Sequence, residues 1–243
     1  MNGSRPAVAP ALPGFDDPAL VRVDRVGRTY GSGAATIVAV RDVSVAVAPR
    51  ARVALTGPSG SGKSTLLHLM AGLDTPTSGS VTWPGIDVDA TTGLVGIGVV
   101  FQGPSLLPAL DVTENVCLPL LFRDVAEPEA RVRAGDALAR VGIGDLARAL
   151  PDELSGGQAQ RVAVARVLAA APRLILADEP TGQLDHRAAA LVIDVLLQAA
   201  DDLGAALIVS THDPAISQRL PTEWAMRDGR LHGIHGADHE EHR

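Results

Sequence analysis

A glycine-rich stretch at residues 57–65, here called the phosphate loop, decides the fold of this chain. It reads Gly57-Pro58-Ser59-Gly60-Ser61-Gly62-Lys63-Ser64-Thr65 and fits the spacing G-x-x-x-x-G-K-[ST]. The residues before it, 52–56, are apolar enough for a buried strand. The apolar positions after it have helical spacing: Leu66, Leu69, Met70 and Leu73. A strand, a glycine-rich loop and a helix together predict backbone N–H groups that surround a phosphate.

Two side chains of the phosphate loop have predicted roles. We expect Lys63 to reach the β- and γ-phosphates of a nucleotide and the Ser64 hydroxyl to bind Mg²⁺. Lys63 is also the single lysine among 21 basic residues. A planar guanidinium is wider than a compact ammonium and does not suit a narrow phosphate nest. We therefore predict that arginine cannot replace Lys63.

The composition narrows the class of protein. A chain of 243 residues, 46% of them hydrophobic, can bury one large domain or one domain with a subdomain. No apolar run approaches the ~18–20 residues of a membrane span. Residues 1–18 are rich in proline, alanine and glycine, which predicts a disordered tail rather than a signal peptide. The single cysteine, Cys117, fits a reducing cytosol, and the net charge of −7 argues against nucleic acid as a partner.

Short strands are predicted on the N-terminal side of the phosphate loop. Residues 20–23 and 43–47 alternate apolar and polar side chains, as half-buried antiparallel strands do. Tyr30, the sole tyrosine, precedes a glycine turn between them. Its ring could stack on an adenine base or pack on the sheet at the end of a strand, and both interpretations stay open. A further strand is predicted at residues 78–83.

A helical subdomain is predicted in the middle of the chain. An apolar, β-rich run at residues 95–101 predicts one strand that ends at Gln102. Between residues 103 and 153 the pattern becomes helical, for example at Ala134, Ala137, Leu138 and Val141. Four prolines are expected to divide this region into short helices: Pro104, Pro108, Pro119 and Pro128. We place the inserted subdomain at about residues 103–165.

A second anion site is predicted where residues 154–158, with the sequence LSGGQ, open the next helix. A serine and two glycines ahead of a helix leave N–H groups and a partial positive charge for an anion. Alone, this pattern is a weak signal, because most such stretches are ordinary N-cap turns.

Two buried strands are predicted to end in polar residues. Residues 174–177 are apolar and lead to Asp178 and Glu179. Fully apolar strands indicate a parallel sheet covered on both faces, whose carboxyl ends collect ligands. Asp178 could hold Mg²⁺ through its water shell, and Glu179 could orient and deprotonate an attacking water. The apolar strand at 206–211 leads to His212, which we expect near the γ-phosphate.

The C-terminal part is predicted to contain a helix, a hairpin and a tail. One helical face is formed by Ala188, Leu191, Val192, Val195, Leu196 and Ala199. Residues 224–231 predict a closing hairpin with an Asp-Gly turn. Residues 232–243 carry four histidines. We expect a solvated, disordered tail there, with metal binding as the alternative.

Together these residues resemble the nucleotide-binding subunit of ABC (ATP-binding cassette) transporters over about residues 19–232. The motifs follow the family's order: the stacking aromatic as Tyr30, Walker A at 57–65, the Q-loop as Gln102, the signature LSGGQ at 154–158, Walker B at 174–179, the D-loop at 182–185 and the switch histidine as His212. A phosphate loop alone is shared with kinases and GTPases. LSGGQ between the Q-loop and Walker B is specific to this family.

The resemblance implies a fold and a set of site residues. The fold would be α/β, a P-loop NTPase (RecA-like) core with an antiparallel β-subdomain and an inserted helical signature subdomain, within residues 19–231. Glu179, His212 and Gln102 would be catalytic, and Ser64, Gln102 and Asp178 would bind Mg²⁺. ATP would contact Tyr30, Gln102, the phosphate loop, Ser155, Gly156, Gly157, Gln158 and Asp185.

The resemblance also implies partners. Two copies of the chain would face head to tail, with each ATP held between Walker A of one copy and LSGGQ of the other. Ser155 and Gly157 would then contact the γ-phosphate in trans. The helical subdomain would dock onto an integral membrane permease, which would place the chain at the cytoplasmic face of the cell membrane.

The subfamily is indicated by two stretches. Residues 100–121 and 177–185 resemble cassettes of the lipoprotein-release, macrolide-export and cell-division type. The segment between Trp83 and Phe101 is short for that group, which leaves importers of small organic anions as the alternative. Gln183 also stands where asparagine is more familiar. Rivals outside transport are a soluble ABC ATPase of DNA repair or translation and a small-molecule P-loop kinase.

Overall fold

The computed structural model describes residues 19–89 and 93–236. The strands in these ranges are β1 Val21–Tyr30, β2 Ile37–Val47, β3 Arg52–Thr56, β4 Ser78–Thr82, β5 Asp87–Asp89, β6 Gly93–Val95, β7 Ile97–Val100, β8 Leu174–Asp178, β9 Ala206–Thr211, β10 Thr222–Arg227 and β11 Arg230–Gly236. The helices are α1 Lys63–Met70, α2 Val112–Leu121, α3 Glu127–Arg140, α4 Gly156–Ala169, α5 His186–Leu203 and α6 Pro214–Ser217. None of these helices has the length and apolar character needed to span a membrane.

A six-stranded sheet forms the centre of the core, in the order β11-β10-β3-β9-β8-β7. Its strands run parallel except β11, which pairs antiparallel with β10 at the edge. Alternate residues of β8 pack into two different hydrophobic clusters, Leu174 and Leu176 into one and Ile175 and Ala177 into the other. The prediction of a parallel sheet covered on both faces is confirmed. The segments that follow β3, β8 and β9 therefore lie at the same edge of the sheet.

A three-stranded antiparallel sheet, β2-β1-β4, forms the β-subdomain. β1 pairs with β2 from Val21 opposite Val47 to Tyr30 opposite Ile37, as the alternating pattern predicts. The buried valines of these strands share one cluster with Leu66 of α1. This contact fixes the β-subdomain against the helix that follows the phosphate loop.

The run at residues 95–101 is not one strand, so that prediction is wrong. Gly96 adopts a φ of 103°, and the chain breaks into two strands there. Val95 ends β6, which pairs with β5 in a two-stranded ribbon, whereas Ile97 begins β7 of the parallel sheet. The Gly96 carbonyl accepts bonds from the N–H groups of Arg173 and Leu174, which anchors the break at the start of β8. A continuous apolar run does not reveal a change of sheet.

The helical subdomain consists of α2, α3 and α4, which pack on one another around buried Val116, Ala134, Leu138 and Val164. It confirms the predicted insertion after a core strand. Pro119 does not divide the region, because it lies inside α2, near the end of that helix. A proline near the end of a helix removes only one backbone bond of the ladder.

Two predictions about the C-terminal part need correction. Leu191 is exposed, and α5 buries Ile193 in addition to the predicted Val192, Leu196 and Ala199, so its packed face is turned partly away from the predicted one. The hairpin with its Asp-Gly turn is confirmed, but β11 continues to Gly236, beyond the predicted start of a tail at residue 232. The predicted N-terminal tail, residues 1–18, and residues 237–243 lie outside the described residues.

Candidate functional site

The phosphate loop leads directly into α1, which begins at Lys63. Gly57 and Gly62 have φ angles of 144° and 101°, in the left-handed region that favours glycine. A Cβ atom would lie 2.1 Å from the Met226 carbonyl oxygen at the first position and 2.2 Å from the Ala39 carbonyl oxygen at the second. The loop is thus wedged between the main sheet and the β-subdomain, and only glycine fits at both positions.

The groups around the N-terminus of α1 suit an anion. No side chain of the described residues caps the helix there. The Ser61 hydroxyl is buried and has no hydrogen-bond partner among the described residues. Lys63 is 4% exposed, and its ammonium donates to the carbonyl oxygens of Gly57 and Pro58 at 2.9 and 3.1 Å. A buried cation, an orphan hydroxyl and an uncapped helix N-terminus fit a phosphate group.

The two carboxylates that end β8 meet this loop. Asp178 Oδ1 accepts hydrogen bonds from Ser64 Oγ at 3.0 Å and from Ser210 Oγ at 2.7 Å. Glu179 Oε1 lies 3.3 Å from Lys63 Nζ, in an ion pair. The structure therefore brings together the predicted phosphate ligand, the predicted metal ligands and the predicted base.

Ser210 is a member of this site that the sequence analysis does not single out. Its side chain is fully buried, donates to Asp178 and accepts the backbone N–H of Glu179 at 2.8 Å. One hydroxyl thus fixes both carboxylates. The register of β8 and β9 places Asp178 opposite Ser210. A serine within an otherwise apolar strand is the available signal, but the sequence does not show which residue it faces.

Glu179 lies between a cation and an imidazole. Its Oε2 atom is 3.5 Å from His212 Nδ1, so the predicted base and the predicted switch histidine are neighbours. The Glu179 backbone has a φ of 42°, in a region where a residue other than glycine is strained. One fifth of its side chain is exposed, so water can reach the carboxylate. This arrangement suits a carboxylate that accepts a proton from water.

One pocket of about 400 Å³ joins these groups to two more predicted residues. Tyr30, at the end of β1, and Gln102, after β7, line it together with Glu179 and the phosphate loop. Ile37, Val38 and Ala39 of β2 complete the lining. The pocket therefore offers charged groups for phosphates and an aromatic and aliphatic surface for a base.

The loop that carries Gln102 is held by α4. The buried Gln160 donates to the Phe101 carbonyl oxygen at 3.0 Å, immediately before Gln102. Arg166 donates to the Pro104 and Ser105 carbonyl oxygens at 3.2 and 2.9 Å, on the other side. Neither donor can be recognised from the sequence alone, because contacts with backbone atoms about 60 residues away leave no local pattern. Helix α4 is therefore hydrogen-bonded to the backbone on both sides of Gln102.

Oxygen ligands for a divalent cation are present at the same place. The Ser64 hydroxyl, the Asp178 carboxylate and the Gln102 amide are hard donors, which Mg²⁺ prefers over nitrogen and sulfur. Within residues 19–89 and 93–236 no cluster of three or more histidine, cysteine or acidic side chains could hold a metal by itself. Mg²⁺ that binds together with nucleotide phosphates needs only one or two protein carboxylates, so the donor set fits.

The signature segment lies in a different pocket. Ser155 caps α4, where its hydroxyl accepts the Gln158 N–H at 3.3 Å and its own N–H donates to the Gln158 side chain at 2.8 Å. Residues 155–158 line a pocket of about 250 Å³ with Asp185, which caps α5 by accepting the Ala188 N–H. No residue of this pocket lines the phosphate-loop pocket. Within one chain, the structure does not bring the signature or Asp185 to the phosphate loop.

Comparisons with known proteins give the family. A family model described as "ABC transporter" matches residues 40–182. The lipoprotein-releasing system ATP-binding protein LolD of Pseudomonas syringae pv. tomato is 40% identical over 224 residues, which cover 89% of this chain and 99% of that protein. The protein of the same name from Bordetella avium is 40% identical over 88% of this chain and 96% of its own length.

Solved structures show the same fold. The dimeric post-hydrolysis state of the ATP-binding cassette MJ0796 bound to ADP and Pi has a TM-score of 0.79 and 35% identity, covering 89% of this chain and 98% of that chain. The structure of cbiO1 from Clostridium perfringens, part of the ABC transporter complex cbiONQ, has a TM-score of 0.79 and 29% identity, covering 90% and 89%. The predicted P-loop NTPase fold is thereby confirmed. The chain belongs to the ABC transporter family, as one of its ATP-binding cassettes.

Proposed function

We propose that this chain binds and hydrolyses ATP as the nucleotide-binding subunit of an ABC transporter. The observation that carries the proposal is the convergence of Lys63, Ser64, Asp178 and Glu179 on one uncapped helix N-terminus. A cation, a hydroxyl and two carboxylates in contact with a phosphate nest are the groups that phosphoryl transfer to water needs.

The contacts of Lys63 and Glu179 suggest the order of events. The Lys63 ammonium is paired with Glu179 in this structure, and an arriving γ-phosphate offers it a stronger anionic partner. Glu179 is then released to accept a proton from the attacking water, beside His212. Ser64, Asp178 and Gln102 would hold Mg²⁺, which would neutralise charge on the phosphates. Ser210 keeps both carboxylates in place throughout.

A second copy would complete the ATP site. The signature residues 155–158 and Asp185 line their own pocket, away from the phosphate loop of the same chain. The structural relative MJ0796 is described as dimeric. We therefore infer a homodimer in which each ATP lies between the phosphate loop of one copy and Ser155–Gln158 of the other. ATP bound only in this assembly would supply free energy for association.

The names of the relatives support a partner and a location. LolD is an ATP-binding protein of a lipoprotein-releasing system, and cbiO1 is part of a transporter complex. By analogy, this chain would bind an integral membrane permease at the cytoplasmic face of the membrane and drive release of lipoproteins. The relatives named for lipoprotein release favour this type over an importer of small organic anions, and over a soluble ATPase of DNA repair or translation.

Two measurements test this function. The purified chain should convert ATP to ADP and phosphate with Mg²⁺ and without an acceptor molecule, and chelation of Mg²⁺ should stop the reaction. A tagged chain extracted from membranes with mild detergent should carry with it a membrane protein of several spans. Formation of ADP only when an acceptor is added, with the phosphoryl group transferred to that acceptor and no free phosphate released, would indicate a kinase. Copurification with ribosomes or nucleic acid instead of a permease would contradict the role in transport.

A further inference from the structure

Three polar side chains form a closed cluster beside the phosphate-loop pocket. Arg28 Nε donates to Asp74 Oδ2 at 2.9 Å, and Arg28 Nη2 lies 2.7 Å from Asp74 Oδ1. The Tyr30 hydroxyl donates to the same Asp74 Oδ2 at 2.7 Å. Arg28 and Tyr30 lie on β1, whereas Asp74 follows α1. A single carboxylate therefore holds a guanidinium by two bonds and a phenol by a third.

The guanidinium also covers one face of the tyrosine ring. The Arg28 Cζ atom lies 4.5 Å from the ring centroid of Tyr30, within the range of a cation–π contact. Tyr30 nevertheless remains 38% exposed, and its ring lines the pocket that contains Lys63. One face of the ring is thus occupied by protein, while the ring still borders the nucleotide pocket.

The cluster is partly shielded from water and stays charged. The side chains of Arg28 and Asp74 are 24% and 19% exposed. The hydrogen bond from the Tyr30 hydroxyl, with further bonds from the Thr75 N–H and from Arg28, holds the pKa of Asp74 below its usual range. A carboxylate that is ionised in this way keeps both partners fixed at neutral pH.

We propose that Arg28 and Asp74 are positioning residues for the nucleotide base. The base would stack on Tyr30 at the side opposite Arg28, which gives three layers: guanidinium, phenol and base. This inference rests on the proposed function, because it assumes that the pocket takes a nucleotide. Asp74 fixes the hydroxyl end of the ring, and Arg28 fixes its plane.

The physical benefit is preorganisation. A tyrosine side chain that is ordered before the nucleotide arrives loses little rotational freedom when the base stacks on it. Ordering one side chain in advance improves affinity by about 2- to 10-fold. Phosphates, which contact Lys63 and the helix N-terminus instead, gain nothing from it. The cluster should therefore affect only ligands that carry a base.

This difference defines the experiment. We would measure equilibrium binding of ATP and of inorganic tripolyphosphate, which lacks a base, to the full chain and to Arg28→Ala and Asp74→Asn. Both variants should bind ATP about 2- to 10-fold more weakly and bind tripolyphosphate as the wild type does. The control is Arg25→Ala, because Arg25 lies on the same strand with a side chain that is 78% exposed. It should leave the affinity for both ligands unchanged.

A double variant tests the route through the tyrosine. Once Tyr30→Ala has removed the ring, adding Asp74→Asn should cause no further loss of ATP affinity. Equal losses for ATP and tripolyphosphate would overturn the proposal, as would unchanged ATP binding by both Arg28→Ala and Asp74→Asn. If Arg28→Ala does not fold, the binding of ATP and tripolyphosphate to the nearly isosteric variant Asp74→Asn tests the proposal by itself. A wild-type chain that binds neither ligand would refute the proposed function itself, so the two failures are distinguishable.

Discussion

The ion pair between Lys63 and Glu179 leads to a quantitative prediction for the variant Glu179→Gln. In the structure without nucleotide, the Glu179 carboxylate lies 3.3 Å from the ammonium that should bind the γ-phosphate. Glutamine has nearly the same shape but no charge and almost no basicity. The substitution should therefore remove the base and, at the same time, free Lys63 for ATP.

The size of the gain in ATP affinity follows from the distance between Lys63 and Glu179 and from the exposure of the Glu179 side chain. Two unit charges 3.3 Å apart attract by about 5 kcal/mol at an effective dielectric constant of about 20, and by about 1 kcal/mol in water. Water reaches one fifth of the Glu179 side chain, and Lys63 keeps two carbonyl acceptors in either case. We therefore take the lower value, about 1 kcal/mol, which corresponds to ATP affinity about 3- to 10-fold higher.

The assay separates the two effects. Loss of the base should reduce kcat by about 100- to 10,000-fold, measured as phosphate release at saturating Mg²⁺-ATP. ATP affinity is measured separately by equilibrium binding. The matched control is Glu129→Gln, because Glu129 pairs with Arg133 on the surface of α3, and both side chains are about half exposed. It should leave kcat and affinity unchanged.

Two results would contradict the roles assigned to Glu179. A Glu179→Gln variant with wild-type kcat would show that Glu179 is not the base. ATP affinity that falls instead of rising would show that the carboxylate does not compete with phosphate for Lys63. The second result would contradict the proposal that Lys63 leaves Glu179 for the γ-phosphate, even if kcat falls as expected.

Three further predictions concern single side chains. Lys63→Arg should reduce kcat by about 100-fold or more, because a planar guanidinium cannot reproduce the two bonds of the buried, compact ammonium to the Gly57 and Pro58 carbonyl oxygens. Full activity in a phosphate-release assay would contradict this. Ser210→Ala should lower the free energy of unfolding by about 1–3 kcal/mol and kcat by about 10-fold, with a smaller change in ATP affinity. Equilibrium denaturation measures the first effect and ATPase kinetics the second. An unchanged kcat would show that Ser210 does not position the carboxylates for catalysis. Burial raises the pKa of the Cys117 thiol, so a maleimide should label it much more slowly in the folded chain than in denaturant at neutral pH; equal rates would contradict its burial.

Much of the fold follows from local sequence patterns. The phosphate loop fixes a strand, a turn and a helix in order, because its glycines must take backbone angles and contacts that exclude a side chain. The apolar runs of β8 and β9 indicate a parallel sheet, and parallel strands bring their carboxyl ends to one edge. The meeting of Lys63, Glu179 and His212 could therefore be predicted from the sequence.

The errors in the fold occur where a local pattern has two solutions. Residues 95–101 are apolar throughout, and only the backbone angle of Gly96 separates an antiparallel ribbon from a core strand. In α5, the positions on either side of the true face are also apolar, so periodicity places Leu191 inside although it is exposed. Tertiary packing selects between such alternatives, and a local window contains no information about it.

The residues missed at the site act through contacts that are distant in sequence. Ser210 meets Asp178 because of the register between two strands, and Gln160 meets the Phe101 carbonyl group because α4 packs beside β7. Asp74 joins Arg28 and Tyr30 across more than 40 residues. None of these belongs to a short motif. They hold motif residues in place by hydrogen bonds, and the three-dimensional structure is needed to find them.

A mixing experiment with two inactive variants distinguishes an ATP site shared between two copies of this chain from a site contained within one copy. Lys63→Arg disables the phosphate loop, and Gly157→Asp places a negative charge in the signature segment, where it would repel the γ-phosphate of the ATP held by the other copy. Each variant alone should be inactive. In a dimer of the two, the intact phosphate loop faces the intact signature in one of the two sites.

Mixing the two inactive variants in equal amounts should therefore restore about a quarter of the wild-type ATPase activity, since about half of the dimers are mixed and each has one intact site. Each variant incubated alone under the same conditions should show no restored ATPase activity. If the mixed sample stays as inactive as its components although heterodimers form, the site is not shared between copies, and the account is wrong.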